Sequence, residues 1–397
     1  MALQSLRPQA AGSLLRLAML ACLSVSIAGC IPRGRTERPQ PTAEQQPEQQ
    51  PEETPGPALP AGETRNRVAV LVPLSGSNAQ IGQSIANAAN LALTDMGGER
   101  IRITAYDTAQ GALAAVNEAL AEGNGLFLGP LLAEDARAIA PIARRANVPV
   151  IAFSNDVSIA GDGVHVLGFN PGQSIERVVA YARSQGVQRF GALLPTSVYG
   201  ERAGRAFAAA VEQAGGQMVA VETYNRTPET LRAAATRLAA RGQFDAVLIP
   251  DGPRTAAAAV PLLRRGSPNV RFLGTELWTS ETNVGTQAAL RGAWFAGPSN
   301  AMFNSLRTRY RARYGANPYR LASLGYDAVL LAVRIGGDWR LGRPFPERAL
   351  RDDDGFTGVD GAFRFGRDGI AERALEVQEV TATGTTVLDP APRGFGD

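Results

Sequence analysis

One histidine, His165, two cysteines, Cys22 and Cys30, and no lysine at all set narrow limits on the chemistry open to this chain. A zinc site draws three or four ligands mainly from His and Cys, so the chain is a poor host for one. Without lysine there is no Schiff base and no phosphate-loop lysine. A Ser-His-Asp triad would have to use His165, which sits in the strand-like run Val164-His165-Val166-Leu167, where a structural role is expected. Asp352-Asp353-Asp354-Gly355 lacks the alternating ligands and distal Glu of a calcium loop and reads as a solvated turn. Ser75-Gly76-Ser77-Asn78 stands where a helix opens; its amides could cradle an anion, or it could simply cap the helix. What remains is binding, with no catalytic residue, metal or cofactor expected.

Such groups must be held by a scaffold, and the chain's 397 residues with 45% hydrophobic and 19% charged side chains can supply one. Short apolar runs at 68–72, 101–105, 126–128, 148–152, 164–167, 190–194, 218–221, 246–249, 270–273 and 293–296 read as strands. Helical periodicity separates them, as in Ile81, Ile85, Ala88, Ala92 and Met96 on one face. Alternation of this kind predicts βαβ units, and the length suits two doubly wound parallel-sheet lobes. Phe169-Asn170-Pro171-Gly172 reads as a crossover between them. The expected division is 66–171 with 300–345 in lobe 1, 172–299 with 346–385 in lobe 2, and a tail at 386–397. The alternating run at 356–365, with 374–380, is expected as a late hairpin on lobe 2. Ligands of open parallel sheets sit outside the carboxyl ends of the strands, so two such rows facing each other make a hinged cleft.

Ahead of the lobes, Arg7 and Arg16 precede an apolar run of signal-peptide length, too short to span a bilayer. It ends in Ile27-Ala28-Gly29-Cys30, which resembles the bacterial lipobox. That resemblance implies cleavage after residue 29, loss of Cys22 and a diacylglycerol on Cys30, each buried CH₂ contributing about 0.8 kcal/mol to membrane binding. Ile31 after the cysteine, by likeness to enterobacterial sorting, points to the outer membrane. Forty Lys+Arg against 37 Asp+Glu give +3, and losing Arg7 and Arg16 leaves 38 − 37 = +1, no basis for nucleic-acid binding. Residues 30–65 are rich in Pro, Gln, Glu and Thr and are expected to be a disordered linker. A flexible coil of that length spans about 30–35 Å and an extended one about 110 Å.

The cleft loops carry a family likeness. Val72-Pro73-Leu74-Ser75-Gly76 with Gly82, Gly129-Pro130, Pro149-Val150-Ile151, Tyr199-Gly200, Gly274-Thr275 and Tyr326-Asp327-Ala328 resemble, in order and spacing, the branched-chain amino-acid (Leu/Ile/Val) binding proteins. So does the tail Phe356-x-Gly358-x-x-Gly361 with Phe365 and Gly369. This implies the type I periplasmic-binding fold over about 66–385. Phe153-Ser154-Asn155-Asp156, Leu167-Gly168-Phe169, Glu176-Arg177-Val178 and Gly274-Thr275-x-Leu277-Trp278 look closer still to penicillin-binding protein activators, the LpoA-like lipoproteins. In that group the domain stands on a lipid anchor and stimulates a peptidoglycan synthase.

By the same resemblance, the ligand-cleft candidates are Ser75, Ser154, Asn155, Tyr199, Glu276, Trp278 and Tyr326. Tyr199 and Tyr326 match ligand-contacting aromatics, although either could be a core residue. Trp278 could stack on a ligand or fill an interface. Glu276 lies near the acid that receives an amino group. The departures matter: the amino-acid binders' carboxylate-holding serine is Ala133 here, the aspartate before their Tyr-Gly is Thr196, and Asp156 would repel a ligand carboxylate. A free amino acid is therefore not expected in the cleft, and a cationic or amide-rich ligand, or none, fits better. Two functions follow as expectations. One is a non-enzymatic, lipid-anchored activator of a bifunctional penicillin-binding protein. The other is a receptor lipoprotein handing an amino-acid-like, amide or peptide ligand to an ABC permease.

Overall fold

A computed structural model describes residues 57–280 and 284–395; the leader, Cys30 and most of the linker lie outside them. The first sheet is built from β1 (Asn66–Val72), β2 (Ile101–Asp107), β3 (Asn124–Leu128), β4 (Val150–Ala152) and β5 (Val164–Val166). Its order is β2-β1-β3-β4-β5 and every pairing is parallel. All seven residues of β1 are buried, as a parallel strand covered on both faces must be. The crossovers are α1 (Ala79–Met96), α2 (Ala112–Ala121) and α3 (Ala133–Arg145).

The second sheet takes β6 (Arg189–Pro195), β7 (Gln217–Tyr224), β8 (Ala246–Leu248), β9 (Arg271–Gly274) and β10 (Trp294–Gly297), again parallel. They are wound with α4 (Pro171–Ser184), α5 (Val198–Gln213), α6 (Pro228–Ala240) and α7 (Pro253–Gly266). The chain then returns. The helices α8 (Asn300–Tyr314) and α9 (Ala322–Gly336) contribute Phe303, Leu306, Tyr310, Val329 and Leu331 to the same core as Val68, Val70 and Val72 of β1. These are α/β lobes with parallel sheets and packed helices, in agreement with the fold class read from the sequence.

Residues 346–385 do not lie together on the second lobe. The strands β11 (Phe356–Gly358), β12 (Gly361–Phe365) and β13 (Ala371–Arg373) form a small antiparallel sheet of their own. Phe356, Phe363 and Phe365 sink into the first-lobe core. Only β14 (Glu376–Thr381) and β15 (Gly384–Asp389) join the second sheet, antiparallel at the β10 edge, so the expected tail at 386–397 begins inside a strand. Alternation marks a hairpin but is silent on which of two apolar cores will receive it. The linker is also shorter than expected: Ala58 and Leu59 pack against Gly123, and Glu63 pairs with Arg102 at 3.3 Å.

The chain passes between the cores near 167–170, 298–299 and 374–375. Gln173 and Arg177 of α4 stitch the first crossing to the third, donating to the carbonyls of Ala371 at 2.8 Å and Leu375 at 3.0 Å. Beneath them lies a buried charge cluster of Arg320, Asp327, Asp360 and Arg373. Arg320 Nη2 is 2.7 Å from Asp360, and its guanidinium covers the Phe303 ring at 4.1 Å. Arg373 donates to the Leu167 carbonyl at 2.7 Å and lies over the rings of Phe169 and Phe363. Asp327 accepts from the Val359 amide at 2.7 Å, and a Cβ at residue 358 would overlap its carboxylate. Gly358 of the tail motif is thus glycine because Asp327 occupies the space of its side chain.

Candidate functional site

Each lobe presents its strand ends through the same device. A Cβ on Gly82 in the first turns of α1 would overlap the Pro73 carbonyl oxygen, and one on Gly200 in α5 would overlap that of Pro195. Glycine lets the helix backbone sit directly on the strand end, so the loop between them is short and aimed at the cleft.

On the second lobe, Tyr199 in the first turn of α5 meets the short 3₁₀ helix Glu276–Ser280 that follows β9. Its hydroxyl donates to Glu276 Oε1 at 2.8 Å and lies 2.9 Å from Thr275 Oγ1. The Glu276 amide donates to Ser174 Oγ at 2.9 Å, and Ser174 donates to the Ala296 carbonyl at 2.7 Å. Glu276 is 6% exposed and its Oε2 has no hydrogen-bond partner. Burial pushes its carboxyl up to about 7, against the hydrogen bond from Tyr199. The Tyr199 phenol is raised well above its ordinary value by burial and then by the Glu276 charge.

On the first lobe, the loop after β4 folds on itself. Ser154 Oγ accepts from the Asp156 amide at 3.1 Å, and Asp156 Oδ1 accepts from the Ser158 amide at 3.0 Å and hydroxyl at 2.6 Å. Asp156 Oδ2 takes two guanidiniums, Arg137 of α3 and Arg202 of α5, the latter at 2.6 Å. Burial raises this carboxyl, but Ser158, Arg202 and Arg137 outweigh burial and hold it at about 2. Arg202 belongs to the second lobe and Asp156 to the first, so the pair spans the cleft.

The candidates do not all converge. Tyr199 and Glu276 touch each other, while Ser154 and exposed Asn155 flank Asp156 on the opposite wall. Ser75 is half-buried and accepts from Gln110 Nε2 at 2.8 Å, with its loop held by Asp107 through the Leu74 amide. Trp278 is wholly buried; its indole donates to the Asp251 carbonyl at 2.9 Å and its ring leans on Phe295, which makes it core rather than a stacking platform. Tyr326 is likewise buried, donating to Asp95 at 3.1 Å with Arg309 over its ring, at the last turn of α1. His165 is structural, its Nε2 2.9 Å from Glu347 and its ring edge-on to Phe365.

Arg137, Arg202 and Ser174 were not legible as cleft residues. Asp251 accepts from the Tyr224 hydroxyl at 2.6 Å and pairs with Arg226 at 3.2 Å. Only Arg202 carried a sequence signal, since three residues after Tyr199 on a helix puts it on the same face. Arg202→Ala is expected to cost about 1–2 kcal/mol of stability, since Arg137 remains to hold the carboxylate. It should also expand the particle in solution X-ray scattering; an unchanged radius of gyration would mean that the pair does not hold the lobes.

Two wound lobes with facing strand-end loops are the architecture of a periplasmic-binding-protein-like domain. The chain belongs to the periplasmic binding protein family, which matches residues 66–385. Among solved structures it is similar to a putative branched-chain amino acid ABC transporter protein from Rhodospirillum rubrum, with 21% identity, a TM-score of 0.71 and coverage of 82% of this chain and 100% of that one. It is also similar to the LpoA C-domain from Haemophilus influenzae, a regulator of PBP1A, with 20% identity, a TM-score of 0.64 and coverage of 81% and 100%. The "Uncharacterized protein RP748" of Rickettsia prowazekii is 26% identical over 173 residues, which is 43% of this chain and 46% of that protein. The match thus spans less than half of the relative's length. No helix among the described residues is long and apolar enough to cross a membrane.

Proposed function

We propose that the chain is a lipid-anchored regulator of a peptidoglycan synthase of the bifunctional penicillin-binding class, acting by contact and without catalysis. The observation that carries this is the Asp156–Arg202 pair. Where the branched-chain amino-acid binders keep their ligand turn, this chain puts a carboxylate and neutralises it with its own arginines. Ala133 leaves no hydroxyl for a ligand carboxylate. A cleft whose walls are already joined by the protein's own charges needs no solute to bridge them, and a two-lobe body so joined suits a docking partner. The similarity to a PBP1A regulator supports this function. Cys30 would carry the lipid in the outer membrane, and the stretch between it and Ala58 would let the lobes stand off into the periplasm.

Affinity capture with the intact lipoprotein from detergent-solubilised envelopes tests it. Enrichment of a bifunctional penicillin-binding protein is expected; enrichment of an ABC permease and its ATPase instead would overturn it. A second function, solute reception for a transporter, is favoured by one observation, the partnerless Glu276 Oε2. A cationic or amide ligand that donates to this oxygen would add about 2.7 kcal/mol of stability at 100 times its Kd, seen as a rise in Tm.

A further inference from the structure

A cavity of about 370 Å³ lies at the hinge, lined in part by Trp278 and Thr279 of the 3₁₀ helix that begins at Glu276, but not by Tyr199 or Glu276. One wall is the start of α8, where Ser299, Asn300, Asn304 and Arg307 face it at spacings of one helix side. The other is the β14–β15 hairpin, which contributes Glu376 and Gln378. The first wall belongs to the first-lobe core and the second to the second sheet.

Its polarity is divided. Gln378 is 1% exposed, and its Nε2 donates to Glu376 Oε1 at 2.9 Å, which leaves Gln378 Oε1 buried without a partner. Glu376 is 7% exposed, and burial raises its carboxyl despite the Ser299 hydroxyl, the Arg320 charge and Gln378. On this wall Gln378 Oε1 is the one buried side-chain acceptor without a donor among the described residues, beside a Glu376 carboxyl that already accepts from Gln378 and Ser299. The helix wall offers donors: the opening amides of α8, the carboxamides of Asn300 and Asn304, and the half-buried guanidinium of Arg307, which pairs with no carboxylate among the described residues. A buried acceptor with nothing to accept from is costly, and a ligand donor in the cavity would relieve it. The volume falls in the range of small-molecule sites.

We propose that this hinge cavity is a second ligand site, for a small zwitterion whose ammonium is received by Glu376 and Gln378 Oε1 and whose anionic group is held by the start of α8 and Arg307. Because its walls come from both lobes, an occupant also biases the hinge angle. The site is independent of the role proposed for the cleft.

Isothermal titration of the full chain tests it with L-alanine, L-arginine and glycylglycine, with ethanolamine and propionate as single-charge controls. At least one zwitterion is expected to bind and both controls to fail. Arg307→Ala and Gln378→Leu should each weaken binding by about tenfold or more, the scale of a charged or buried hydrogen bond. Arg311→Ala, one turn further along α8 and outside the cavity, should not. Three silent zwitterions, or binding indifferent to Arg307→Ala, would overturn the site. Loss on Glu276→Gln with Arg307→Ala harmless would put the ligand in the cleft and overturn it equally.

Discussion

Asp360→Asn is expected to lower the unfolding free energy by about 3–5 kcal/mol, read as a fall in urea midpoint at unchanged m-value. The change is nearly isosteric, so packing alone predicts almost nothing. Charge predicts a large loss. Arg320 and Asp360 are 5% and 0% exposed, and Arg373 and Asp327 are similarly withdrawn from water. Desolvation lowers the pKa of both arginines, opposed by Asp360 and Asp327, and raises that of Asp327, with Asp360 adding to the rise. Two cations thus depend chiefly on these two anions, with Glu376 adding to Arg320, and several of their polar atoms have no hydrogen bond to fall back on. Removing one anion strands a guanidinium in the core at the point where the three lobe crossings meet. The double replacement Arg320→Met with Asp360→Leu leaves Arg373 balanced by Asp327, so it should recover most of the loss. A single-variant cost below about 1 kcal/mol would mean that solvent reaches the cluster and screens it.

That cluster also marks the limit of what the sequence disclosed. Period-two and period-3.6 apolar runs made both sheets and most of their helices legible, because burial on two faces demands continuous Val, Ile, Leu and Ala. The shared loops at Pro73 and Pro195 were legible as motifs, although their glycines turned out to serve backbone contact. Pairings between distant segments were not legible. Nothing local in Tyr326-Asp327-Ala328 says that Asp327 reaches the amide of Val359, or that Tyr326 turns toward Asp95 and away from the cleft. Likewise, Asp156 read as a charge hostile to ligands; that Arg137 and Arg202 answer it depends on two helices from different lobes. Trp278 shows the converse. A tryptophan in a cleft loop invites a stacking role, but its indole hydrogen is taken by the Asp251 carbonyl inside the second core.

The cleft carboxylate yields the second large effect. Glu276 titrates near 7 in the folded chain against an ordinary 4.5, because burial penalises its charged form. A folded pKa raised above the unfolded one means that the native state holds the extra proton between these values. Stability from this group is therefore full below about 4.5 and is lost as pH rises through about 7, a fall on the order of 3 kcal/mol. Glu276→Gln keeps an acceptor for the Tyr199 hydroxyl and removes the titration. The variant should match wild type near pH 4.5 and exceed it by on the order of 3 kcal/mol at pH 8, with the slope between removed. Denaturant melts of both proteins across that range would decide it. Parallel curves would mean that Oε2 has found a donor or water in solution, so that the carboxylate is not stranded. A wild-type slope that vanishes when a cationic ligand is added would instead identify the occupant for which that oxygen is kept.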